Sequence, residues 1–190
     1  MLLSLPDRAL SWLEPLTLPV MTTFARFVFA ATLLVYYWKS AATKLGEGAF
    51  GFLHPSDGAY IQIFPRVFEA VGYDSSQLGL YHWAVVTAGM WAEFLLPLLL
   101  VLGLFTRPAA LGMIGFITLQ SLTDLYGHGG IASPETLGGW FNGVPDGVVL
   151  DQRMFWVFVL AYLMFRGAGP LSLDRLILGR GNPAGQMQPA

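Results

Sequence analysis

Cysteine is absent from all 190 residues. That excludes dithiol relays, thiolate metal sites, iron–sulfur clusters and disulfides, so any redox role must use a borrowed cofactor or a partner subunit. Charge is scarce as well. Asp, Glu, Lys and Arg make up 12% of the chain, about half the roughly 25% of ordinary soluble domains. A net charge of −2 with no basic cluster argues against nucleic acid as a partner.

What is abundant is apolar surface. Hydrophobic residues reach 55%, aromatics 14%, and the mean hydropathy is +0.58, which places the chain among membrane proteins. Four apolar segments approach the roughly 20 residues that cross a bilayer as helix. They cover residues 18–38, 83–105, 108–126 and 148–165. Helices of a soluble all-α protein would alternate apolar and polar faces, and "FLLPLLLVLGLF" does not. The expected fold is therefore all-α: a polytopic membrane four-helix bundle over residues 18–166, with short interfacial helices.

The "TRP" turn at 106–108 makes the second and third spans an antiparallel hairpin. Thr106 is the expected cap and Pro108 suits the first turn. The longer loops are 39–82 and 127–147. The first holds "AYIQIFPRVFEAVGY", where Ile61, Phe64, Phe68 and Val71 recur at helical spacing and predict a helix on the membrane surface. The second, rich in Gly, Pro and Asn, is expected to be irregular. Residues 1–17 read as an interfacial segment anchored by Trp12, with no cleaved signal peptide. Residues 167–180 read as an interfacial C-terminal helix and 181–190 as a disordered tail. Arg8, Arg107, Arg166, Arg175 and Arg180 make one side denser in cations than the long loops with Lys39, Lys44 and Arg66. That predicts both termini on the cytoplasmic side. Trp38, Trp83, Trp140 and Tyr126 fit an interfacial belt.

Glu93 falls near the middle of the second span, where a charge costs about 2.5–3.5 kcal/mol on insertion scales. It must be neutral or paired. With Arg153 read as lying near an interface, Arg26 is the cation available to it within the expected spans, and the two are expected to meet across a helix–helix seam. Pro97 cannot donate to the Glu93 carbonyl, so the pair is either a structural tie or part of a ligand pocket or proton path. Tyr37 stands eleven residues from Arg26, as His82 does from Glu93. Arg26, Glu93, Tyr37 and Pro97 are thus the candidate pocket residues.

Gln120, Asp124 and His128, spaced by four, form a second polar cluster with His82 toward the outer side. Imidazole and carboxylate suit zinc or copper, which makes His82, Asp124 and His128 the metal candidates. Water-bonded interfacial histidines account for the same residues, and no tight metal signature is present. "GHGG" lacks the flanking strand and Lys of a phosphate loop.

Taken in order, Arg26, the "KL" after the first span, Glu93 followed by "LGLFTRPAAL", and the closing "GAGPLSLDRLI" resemble the DoxX family of small four-helix membrane proteins. The resemblance covers roughly Phe24 to Leu178. The long 40–80 loop and the enlarged 127–147 loop depart from it. It implies a bacterial inner-membrane protein linked to redox systems, with a quinone as the cofactor class. Arg26, Glu93 and Arg107 are the matching positions, none with an agreed catalytic role in the family.

Three functions fit these residues. One is the membrane subunit of a quinone-linked redox assembly, with a redox partner subunit. Another is a scaffold whose outer loops recruit a periplasmic partner. The third is a carrier for a proton, metal or small solute, built as a homo-oligomer with Glu93 and Asp124 as protonatable stations. No self-contained catalytic centre is visible, so oxidoreductase chemistry would need the partner.

Overall fold

The computed structural model describes residues 14–177, and every regular element among them is helical. The first helix, α1 (Glu14–Phe29), passes through a π turn at Ala30–Leu34 into α2 (Val35–Lys44). The expected end at Trp38 is therefore six residues too early. Nothing in "KSAATK" breaks a helix, and the chain leaves helical geometry only at Leu45, with ψ 135°. Buried Phe29, Leu33, Tyr37 and Ala41 recur every four residues. On an ideal helix that spacing drifts by about 40° per step, and the wide π turn absorbs part of the drift.

The expected surface helix is two short ones, α3 (Asp57–Ile63) and α4 (Pro65–Ala70), because Pro65 cannot continue the turn before it. Ala59, Tyr60 and Phe68 form a small core with Val86 of the next helix. Trp83 and Trp91 donate their indole N–H groups to Leu53 O and Phe52 O, holding the preceding loop against that helix.

α5 (Leu80–Leu102) ends at Gly103, whose left-handed φ of 66° closes it. α6 (Thr106–Leu122) follows and extends through a π turn at Thr123–Gly127. Thr106 is not the cap. It is already helical, and its Oγ1 is buried without a partner among the described residues. The cap comes from far along the chain: Asp174 accepts from Phe105 N at 2.7 Å and Thr106 N at 3.0 Å. The 127–147 loop holds a short α7 (Pro134–Leu137). A π turn at Val148–Gln152 then leads into α8 (Arg153–Arg166), and α9 (Leu173–Ile177) closes the described chain. The expected Trp12 anchor and disordered tail lie outside the described residues.

α1 and α2 pack on α8 and α5, and α6 packs on both α5 and α8. Phe29, Leu33, Tyr37, Leu100, Met113 and Leu160 fill the centre. Three stretches, Leu16–Lys44, Leu80–Leu102 and Val148–Arg166, are long and apolar enough to cross a membrane. Their outward faces carry exposed Phe27, Leu95 and Phe158. These are the length and composition of a membrane protein in contact with a lipid bilayer.

Candidate functional site

The buried acid has a cation, but a different one. Lys44 Nζ stands 2.9 Å from Glu93 Oε2 and 3.1 Å from Oε1, and both side chains are 4% exposed. Ser40, one turn earlier on α2, donates from Oγ to Glu93 Oε1 at 3.2 Å and accepts from Lys44 Nζ at 2.8 Å. Lys44 thereby uses its donors on Ser40 and Glu93, and the carboxylate is held from two sides. A buried pair survives only when its hydrogen-bonding capacity is met in this way.

The expected Arg26–Glu93 pair is not formed. Arg26 reaches the C-terminal end of α5, where Nε donates to Leu100 O at 3.0 Å and Nη2 donates to Val101 O. Its Nη1 donates to Ala168 O at 3.2 Å and to Leu171 O. Glu93 lies seven residues back along α5, about 10 Å at 1.5 Å per residue. Arg26 therefore serves the orphan carbonyls at a helix end and pins the 168–171 turn. Its planar fork suits that task.

Glu93 and Lys44 face a cleft of about 790 Å³ between α5 and α6. Small residues form much of its walls: Ala88, Gly89 and Ala92 on α5, Gly112 and Gly115 on α6. α3 closes one end through Gln62 and Ile63. His128 donates from Nε2 to Gln62 O at 3.2 Å, tying that end to the α6 extension. The other side is open, for Ala88, Gly112, Gly115 and Leu119 are all exposed. A Cβ added at Gly115 would meet nothing within 4 Å.

The second expected cluster is brought only partly together. Gln120, Asp124 and His128 line the same cleft as Glu93. His82 does not; its ring packs edge-on to Phe64 at 5.0 Å, and its buried Nδ1 has no hydrogen-bond partner among the described residues. Asp124 is occupied by a cation from the start of α8. Arg153 Nη2 donates to Asp124 Oδ2 at 2.5 Å, and Nη1 donates to Ser121 Oγ at 2.9 Å. His82, Asp124 and His128 thus do not converge, and no group of three His, Asp or Glu among the described residues could hold a metal.

Tyr37 is fully buried in the core rather than in the cleft wall. Its ring meets Phe116 and Trp156 edge-on, and its hydroxyl donates to Gln120 Oε1 at 3.4 Å. Pro97 is buried within α5, and beside it the Trp38 indole donates to Phe94 O at 3.1 Å. Ser40, Lys44 and Arg153 are the site residues that sequence reasoning missed. Lys44 was visible in the "KL" pair, and an unbroken helix through "KSAATK" places Ser40 and Lys44 one turn apart.

No protein-family model, no curated protein and no solved structure matches the chain. The functional reading therefore rests on the site.

Proposed function

We propose that the chain is a DoxX-like inner-membrane protein with four spans, α6 and its extension being the fourth, and with both termini cytoplasmic. In this reading it is the membrane subunit of a quinone-linked redox assembly. The cleft carries the proposal. Its volume is within the range of small-molecule sites, its walls are mostly apolar, and a buried ammonium–carboxylate pair lies at its back. A quinone ring would sit among Leu96, Phe116 and the small residues, with a carbonyl or hydroxyl directed to Lys44 and Glu93. A lysine N–H turned away from Ser40 would serve an oxidised headgroup, and the carboxylate can accept from a reduced one, so both would find a partner. Electron transfer itself would fall to the partner subunit.

Organic extraction of the detergent-purified protein, followed by mass spectrometry, tests this reading. Quinone enriched over the bulk lipid of the same membranes is the expected result. Extracts holding phospholipid alone would overturn it.

One observation favours the scaffold as a second reading. Trp140, Phe141 and Val144 are exposed on one loop, with Phe141 fully exposed at a left-handed φ of 61°. Partners captured by the whole protein and lost on deletion of 127–147 would support it.

A further inference from the structure

The charges around the cleft add up in a way that selects its occupant. Lys44 and Glu93 cancel as one pair. Asp124 is cancelled by Arg153 from behind the wall. The other polar linings, Ser40, Gln62, Tyr81, Gln120, Thr123 and His128, whose Nε2 donates to Gln62 O, bring hydrogen-bonding groups. A site whose carboxylates are both paired and whose walls are mostly apolar offers no free counter-ion to an anionic or cationic headgroup, which would arrive stripped of its hydration. An uncharged headgroup meets donors and acceptors at no such cost.

The route in is as informative as the lining. The open side is bordered by exposed Leu119 of α6, and Leu95 of α5 and Leu111 of α6 are exposed as well, as on helices that meet acyl chains rather than water. Gly112 and Gly115 keep that side clear. At Gly112 an added Cβ would press on the Leu96 side chain at 3.2 Å, and at Gly115 there is open space.

We infer that the cleft takes uncharged amphiphiles from the lipid phase, entering sideways between α5 and α6, and rejects amphiphiles of either charge. This names the ligand class of the proposed quinone site and rests on the same cleft, but it does not require the ligand to be redox-active. A neutral long-chain alcohol satisfies it as well as a quinone does.

The test uses the full chain in lipid nanodiscs with three photoactivatable probes of one chain length: an alcohol, a sulfonate and a trimethylammonium. The alcohol should label residues of α5 and α6 along the cleft, in preference to either charged probe by on the order of 100-fold. Gly115→Phe should abolish that labelling while leaving the Lys44–Glu93 pair in place. Glu93→Gln leaves an unbalanced ammonium and should admit the sulfonate. Equal labelling by a charged probe, or alcohol labelling unchanged by Gly115→Phe, would overturn the inference even if Glu93→Gln fails to fold. Alcohol labelling in a protein that carries no quinone would remove the redox reading and leave this one standing. Quinone content together with sulfonate labelling would do the reverse.

Discussion

Lys44 and Glu93 meet at 2.9 Å across the seam between α2 and α5, and neither side chain is more than 4% exposed. Removing one partner of such a pair leaves an uncompensated buried charge. Lys44→Met is expected to destabilise the fold by about 3–5 kcal/mol, whereas replacing both with apolar residues is often neutral. Chemical denaturation in detergent of Lys44→Met, Glu93→Leu and the double variant measures this. A double variant as unstable as the singles would show that the pair is more than an ion pair in its surroundings.

Arg26 serves four carbonyls on two segments, Leu100, Val101, Ala168 and Leu171. A lysine is one point charge on a flexible stem and cannot span them. Arg26→Lys should cost about 3 kcal/mol or more, the loss of at least two charge-assisted bonds. The matching steric change is Gly103→Ala, since a Cβ there would stand 2.8 Å from Arg26 Cζ and 2.6 Å from Ser172 Cβ. Both variants should loosen the 168–172 turn, seen as faster amide exchange.

Asp174 caps α6 from another helix, on the amides of Phe105 and Thr106. Asp174→Ala is expected to cost about 1–2 kcal/mol. The amides of 105 and 106 should lose protection first. Unchanged exchange there would assign the cap to water.

Asp74, in the loop before α5, gives a pH handle outside the spans. Hydrogen bonds from Ser76 and Gln77 hold its carboxyl below the usual carboxylate range. A depressed folded value means the loop's support is present above the unfolded carboxylate value and lost as pH falls through the folded one. NMR titration should place Asp74 low and Ser76→Ala should return it upward. An Asp74 that titrates in the ordinary range in both forms would refute this.

Composition was enough to read a helical membrane protein, because a chain this poor in charge has few other ways to satisfy its backbone in lipid. The buried state of Glu93 was legible for the same reason. Its partner was not. Arg26 lay inside an apolar run and Lys44 past its end, and hydropathy marks where oil stops rather than where a helix stops. Asp124 was misread likewise. Arg153 interrupts the fourth apolar run, and only the fold brings it beside α6. The link from Asp174 to the start of α6 spans 68 residues, a distance over which no local pattern carries information.

The π turn at Ala30–Leu34 has an angular effect on everything after it. One extra residue in a helical turn re-aims the remainder of the rod by about 100° about its axis. Tyr37, Ala41 and Lys44 all lie beyond that turn. Removing one residue as that turn closes to α geometry would therefore keep the ammonium facing inward, whereas closing it at full length would swing the ammonium out toward the lipid. The carboxylate would be left stranded although no side chain in the pair had been touched.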